Sequence, residues 1–222
     1  MINIAVDGPS GSGKSSLAKT ISRQMGILYL DTGALYRAIG YTCLCRIGED
    51  FTEDQVCGLL PSITVDLRYE DGVQHVFVNG EDVSGQIRTQ PVAMAASNVS
   101  AFPPVRAFLL DLQRDIAARN DVIMDGRDVG TVILPNADVK IFLTADASVR
   151  AARRVGELAQ KGIQADYDTV LQEVIQRDHN DMTRAVAPLK QADDAVLLDN
   201  SQLSAEETVA AAFEIIRSKL SL

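Results

Sequence analysis

Gly8-Pro9-Ser10-Gly11-Ser12-Gly13-Lys14-Ser15 follows the apolar run Ile4-Ala5-Val6 and opens a helical pattern over residues 15–25. The octet fits G-x-x-x-x-G-K-[ST], and a strand before it with a helix after it is the setting in which that pattern holds phosphate. Its glycines let successive backbone N–H groups turn toward an anion, and the helix N-terminus favours negative charge there. Residues Gly8 through Ser16 are therefore the expected ATP-binding loop. Lys14 is expected to reach the β- and γ-phosphates, and the Ser15 hydroxyl to ligate Mg²⁺.

Outward from this loop, β-type runs at residues 2–6, 27–30, 122–124, 139–143 and 195–198 alternate with helical patterns. That alternation predicts an α/β fold of the P-loop NTPase type, with a five-stranded parallel sheet and flanking helices. A helix over residues 34–45 follows the second strand. A closing helix over 205–219 carries Val209, Ala212, Phe213 and Ile216 on one face. The middle of the chain breaks the pattern. Residues 63–69 and 74–78 flank Glu70-Asp71-Gly72, an Asp-Gly hairpin signal, and Asn79-Gly80 marks another turn before Asp82-Val83. A small antiparallel sheet inserted over about residues 60–90 is expected, within a single domain.

The 222 residues carry a net charge of −9, so a grip on long nucleic acid, which needs surplus Lys and Arg, is not expected. The basic residues are nevertheless 15 Arg to 6 Lys, and Arg is the residue that grips carboxylates and phosphates in a fixed fork. Cys43, Cys45 and Cys57 have no nearby His and read as reduced thiols. The chain opens without a basic leader, and no stretch reaches the ~18 apolar residues of a membrane span, so a cytoplasmic protein is expected.

Three further segments carry chemistry. Val122-Ile123-Met124-Asp125 is an apolar strand ending in a carboxylate, which places Asp125 near Mg²⁺, directly or through water; a strand-end Asp also serves as a simple cap. Asp31-Thr32-Gly33-Ala34-Leu35-Tyr36-Arg37 enters a helix, with Thr32 at the expected N-cap and Arg37 about a turn and a half on. Together they suit a phosphate, although alone they are equally an N-cap and a surface arginine. Arg127 and Asp128, in Asp125-Gly126-Arg127-Asp128-Val129-Gly130, follow a strand end, where open α/β sheets bind ligands.

With these segments in order, the chain resembles the bacterial cytidylate kinases of the nucleoside monophosphate kinase group. The resemblance adds V-S-G-Q-I-R-T at 83–89 and R-A-V-A-P-L at 184–189, and it covers essentially the whole chain. It implies transfer of the γ-phosphate of ATP to CMP and dCMP. It implies that Thr32, Arg37 and Arg127 hold the acceptor phosphate, with Thr32 where many members have Ser. Ser97, Arg106, Asp128 and Arg184 should then read cytosine, and Arg177 and Asp181 the ribose. A monophosphate-binding insertion at about 60–100 and a helical lid at about 150–177 also follow from it. Arg150, Arg153 and Arg154 of that lid join Lys14 and Arg127 as the expected catalytic residues. By spacing alone, Arg177, Asp181 and Arg184 fall at i, i+4 and i+7 on one helix face, which an exposed ion pair would satisfy equally.

A regulatory GTPase would carry an N-K-x-D guanine reader, and the sequence has none. A kinase for AMP, UMP or shikimate would share the loop but not the cytosine-matching set. A non-catalytic nucleotide-binding module would tolerate loss of Arg127 and the lid arginines. Nothing in the sequence demands more than a monomer. His75 and His179 lie outside the loop and are expected to be structural.

Overall fold

A computed structural model describes residues 1–70, 72–160 and 162–220. Asp71 of the expected Asp-Gly hairpin and Lys161 at the end of the expected lid helix lie outside the described residues. In chain order the elements are β1 (Asn3–Asp7), α1 (Lys14–Met25), β2 (Leu28–Asp31), α2 (Thr32–Arg46) and α3 (Glu53–Leu59). Then come β3 (Val65–Glu70), β4 (Val73–Val78), β5 (Glu81–Asp82), α4 (Gln90–Val99), α5 (Pro103–Arg119) and β6 (Val122–Gly126). A single π-helical turn (Val129–Ile133), β7 (Val139–Thr144), α6 (Ala147–Gln160), α7 (Tyr167–Thr183), β8 (Val196–Asp199) and α8 (Ala205–Leu220) complete the chain. Among the described residues these form the expected five-stranded parallel sheet with flanking helices and a separate three-stranded antiparallel sheet. No helix among them is long and apolar enough to cross a membrane.

The chain divides into two compact units. The phosphate-loop unit comprises Ile2–Ile27 and the residues from Asp121 onward. Its strands run parallel in the order β6-β1-β7-β8. β1 is central, with both neighbours paired, which is why its residues from Ile4 to Asp7 are all buried and read as one apolar run ending in a carboxylate. The register sets Val6 against Asp125 and Asp7 against both Gly126 and Phe142, so the C-terminal ends of β1, β6 and β7 share one edge of the sheet. α1 buries Lys14, Leu17, Ala18 and Ile21, a helical stripe. On α8 the inward stripe is Thr208, Ala212 and Ile216. Val209 and Phe213, expected on the same face, are half-buried and line a groove beside Thr20 and Gln24 of α1.

The second unit is Leu28–Asn120, together with Met1. β3, β4 and β5 form the antiparallel sheet expected over the middle of the chain. Asn79 and Gly80 connect β4 to β5 with φ of 50° and 84°, the positive values a two-residue hairpin turn demands. α3 was not expected, although Thr52 and Gln55 form a reciprocal capping box at its start. α2 is buried on nearly every side, and it meets α4 at Gly40, where a Cβ would lie 2.8 Å from the Ala96 nitrogen.

That approach makes a paired prediction. Gly40→Ala should destabilise the protein by about 1–3 kcal/mol, because backbone rather than a flexible side chain must yield. Gly58→Ala, in α3 with nothing within 4 Å of the added atom, should be neutral or stabilising by up to ~1 kcal/mol. Urea unfolding of the two variants beside the wild type checks both signs.

Candidate active site

In the phosphate-loop unit the chain leaves β1 through a loop pressed against β7. A Cβ on Gly8 would fall 1.9 Å from the Leu143 carbonyl oxygen, and φ there is 148°, so only glycine fits. The loop runs on through Pro9, Ser10, Gly11 and Ser12 to Gly13, which is left-handed at the N-cap of α1 and offers no side chain to cap it. No N-cap side chain therefore meets the first N–H groups of α1. Ser16 lies on the exposed side of α1 and accepts the Thr20 hydroxyl at its carbonyl.

Lys14 is buried, and its Nζ donates to the Pro9 carbonyl at 2.6 Å and to Ser12 Oγ at 3.4 Å. Burial, reinforced by the nearby Arg127 charge, holds its pKa well below the usual lysine range, although Asp125, Asp7 and Asp181 pull the other way. Ser15 Oγ donates to Asp125 Oδ2 at 2.8 Å, across from the end of β6. A hydroxyl and a carboxylate side by side are hard oxygen donors of the kind Mg²⁺ takes when phosphate and water complete its shell. No group of three His, Cys, Asp or Glu able to hold a metal by themselves occurs among the described residues. Ser15 and Asp125 alone would fit a metal whose other ligands come from outside the protein.

Asp7 was not singled out in the sequence. Its buried carboxylate accepts the N–H of Val129 at 2.8 Å and of Gly130 at 2.7 Å, capping the π-helical turn that follows Arg127 and Asp128. One side chain thus fixes the start of the loop to the arginine segment. Burial pushes its pKa up to about 6, against the lowering effect of those two N–H groups. Arg127 Nε donates to Asp181 Oδ2 of α7 at 2.7 Å. Burial opposes the charge on both partners. Asp181 with Asp125 and Asp7 nevertheless keeps Arg127 above its ordinary pKa, and Arg127, Arg177 and Arg184 keep Asp181 below its own.

The expected helical face at 177, 181 and 184 is only partly formed. Arg177 and Asp181 lie one turn apart on α7, but the helix ends at Thr183 and Arg184 is its extended C-cap residue. Freed from the helix, Arg184 reaches within 3.5 Å of Asp128 Oδ1 and donates through Nε to the Ala187 carbonyl at 2.7 Å. Ala187 is left-handed, with φ of 49°, an uncommon state for alanine.

The three arginines of α6 part ways. Arg150 is buried and forked onto Asp178 of α7 at 3.0 and 2.5 Å, and it also donates to the Ser10 carbonyl at 2.9 Å. Arg153 donates to Asn200 at both its Oδ1, at 3.1 Å, and its carbonyl, at 2.8 Å. Arg154 is half-buried on α6 and meets a neighbouring carboxylate, Glu157, at 3.5 Å. Asp178 and Asn200 gave no sequence signal, because their partners are far away in the chain.

In the second unit the N-cap of α2 is Asp31, not Thr32. Asp31 Oδ1 accepts the Ala34 N–H at 3.0 Å, and Thr32 is the buried first residue of the helix. Asp31 Oδ2 faces Arg37 at 3.4 Å and Arg88 at 3.0 Å. Burial disfavours its charge, yet these two arginines hold its pKa below the ordinary value. Arg88 lies in the 83–89 segment, and its part in this pairing was not foreseen. Ser97 on α4 and Arg106 on α5 meet through Ser100, whose hydroxyl donates to the Ser97 carbonyl at 2.8 Å while its own carbonyl accepts from Arg106 at 3.2 Å. The Arg106 guanidinium lies 5.3 Å from the centroid of the Tyr36 ring.

A family model described as cytidylate kinase matches residues 4–218. The chain belongs to the cytidylate kinase family. A cytidylate kinase of Caldicellulosiruptor bescii is 46% identical over 214 residues, spanning 96% of this chain and 95% of that one. One of Pasteurella multocida is 46% identical over 221 residues, 100% of this chain and 97% of the relative. The fold is also that of an uncharacterized protein of Eubacterium ventriosum, with a TM-score of 0.53 at 14% identity over 98% of this chain and 99% of the other. Within the family match lie the loop, Asp7, and the Arg127–Asp181 and Arg184–Asp128 pairs.

The raised pKa of Asp7 has a measurable consequence. Between its unfolded value of 3.8 and about 6 the folded protein binds the extra proton, so stability falls as pH rises through that window. Relative to Asp7→Asn, the ligand-free wild type should lose about 2 kcal/mol between about pH 4 and pH 7. Parallel urea-denaturation profiles for the two proteins would contradict this.

Proposed function

We propose that the protein transfers the γ-phosphate of ATP to CMP, and to dCMP, giving ADP with CDP or dCDP. The family match across residues 4–218 carries this reading. The chemistry of the side chains supports it. The acceptor is already an ionised phosphate, so transfer requires alignment and charge neutralisation rather than a base. Lys14 and the N–H groups of the loop take the β- and γ-phosphates. Ser15 and Asp125 would hold Mg²⁺, directly or through water, and a bound Mg²⁺ supplies charge neutralisation between those phosphates. Arg150, Arg153 and Arg154 add positive charge from a helical lid at about 150–177.

Thr32, Arg37 and Arg127 are assigned to the acceptor phosphate, in keeping with an insertion at about 60–100 that binds the monophosphate. Arg37 is paired with Asp31, which Arg88 also contacts, so Arg37 can turn to a phosphate without stranding that carboxylate. Arg177 and Asp181 are assigned to the ribose. Ser97, Arg106, Asp128 and Arg184 are assigned to cytosine, whose amino donor beside N3 and O2 acceptors calls for acceptors next to donors. The buried Asp128–Arg184 pair is such a combination. Uracil presents a carbonyl where cytosine has its amino group, which leaves a buried carboxylate unmatched at a cost of about 1–3 kcal/mol. The reading further places the protein in the cytoplasm as a monomer.

A coupled assay with ATP and each monophosphate in turn is the test. CMP should be preferred over UMP and AMP in kcat/KM, and similar rates with AMP and CMP would overturn the assignment. Lys14→Ala should lower turnover with every acceptor by about 10²–10³-fold, the scale of losing one preorganised charge-stabilising donor. Asp128→Ala should shrink the CMP to UMP ratio by about tenfold, and an unchanged ratio removes Asp128 from base recognition.

A further inference from the structure

Asn200 follows the end of β8, far in sequence from the phosphate loop, yet it is almost wholly buried, with 4% of its surface exposed. Its carboxamide is spent on two partners. Nδ2 donates to the Ser12 carbonyl at 3.0 Å, and Oδ1 accepts from Arg153 at 3.1 Å. The backbone is held as well, since Asn200 N–H donates to the Thr144 carbonyl at 2.9 Å and its own carbonyl takes a second Arg153 bond. With both ends of the carboxamide occupied, the amide cannot flip without losing one buried and one part-buried bond.

The consequence lies in the peptide joining Ser12 to Gly13. A trans peptide is planar, so its C=O and N–H point in opposite directions. Drawing the Ser12 carbonyl onto Asn200 therefore aims the Gly13 N–H the other way, away from Asn200. Arg150 treats the Ser10–Gly11 peptide alike, through its 2.9 Å bond to the Ser10 carbonyl while Asp178 holds the guanidinium. Two alternate peptides of the loop are thus pinned from behind by groups on α6 and after β8.

We infer that Asn200 is a positioning residue of the phosphate cradle: by holding the Ser12 carbonyl, and braced by Arg153, it keeps the Gly13 N–H directed at the polyphosphate of the nucleotide. This deepens the proposed function, since it rests on the loop holding ATP phosphates, but it does not depend on which monophosphate is the acceptor. Asn200 acts through the loop and touches no reacting atom.

The test uses the full-length protein and inorganic tripolyphosphate, ATP and adenosine as titrants in calorimetry. Asn200→Ala removes both bonds. Asn200→Asp keeps the size and the acceptor for Arg153 but replaces the donor to Ser12 with a repelling oxygen, and it carries the test should the alanine variant not fold. Both variants should bind tripolyphosphate and ATP about tenfold more weakly, the effect of losing one buried hydrogen-bond partner. Adenosine affinity and the KM for CMP should stay within about twofold. Undiminished tripolyphosphate binding by Asn200→Asp would overturn the inference, as would adenosine affinity falling in step with ATP, which is the mark of a base contact. A wild type that binds neither ATP nor tripolyphosphate would instead sink the phosphate-loop reading, and this inference with it.

Discussion

An ammonium group buried at the start of α1 feels three carboxylates and a guanidinium: Asp7, Asp125 and Asp181 favour its charge, while burial and Arg127 oppose it. An isolated buried charge is costly; here the ammonium donates to the Pro9 carbonyl and Ser12 Oγ, and the three carboxylates act on it through space. The rest of the phosphate-loop unit is arranged to keep these groups together. Asp7 and Asp125 end two adjacent strands, Arg127 continues from the second, and Asp181 comes from α7 onto Arg127. On the proposed reading, a polyphosphate in the loop would add negative charge beside Lys14 and favour the ammonium.

Backbone direction is controlled as closely as charge. Lys14, Arg150 and Asn200 each take a loop carbonyl, those of Pro9, Ser10 and Ser12 respectively. Every carbonyl so held fixes the orientation of the following N–H. Asp7 performs the complementary task on the neighbouring strand end, accepting two N–H groups at the π-helical turn. Such turns are tolerated where a site needs residues aimed in a direction that a regular helix would not give. Here the turn follows immediately on Arg127 and Asp128, and the capping carboxylate holds both it and the root of the loop.

The parts legible in the sequence are those whose causes are local. The loop reads directly, because glycine spacing, Lys14 and Ser15 are contiguous and the strand and helix around them follow from apolar patterning. The Asn79-Gly80 turn reads for the same reason, since positive φ selects those residues. The α2 cap was misplaced by one residue because Asp31 and Thr32 are both good caps, and only the structure shows which side chain meets Ala34. Arg184 was read as helical because the i, i+4, i+7 spacing continued past the point where α7 stops. Arg150 and Arg153 were recognisable as a basic helix face, but their bonds to Asp178 and Asn200 join residues distant in the chain, and no local pattern announces them. Asp7 was open to the same reading as Asp125, a carboxylate closing an apolar strand.

The central claim is that Lys14 is buried where desolvation and Arg127 lower its pKa, and its own titration reports on that. Selective ¹³Cε labelling of lysine, with Lys14→Arg to assign the resonance, would follow the ammonium by NMR across pH with and without ATP. The account predicts a Lys14 pKa well below that of the exposed lysines in the free protein, rising when ATP binds. A Lys14 that titrates with the exposed lysines, and does not respond to ATP, would contradict it.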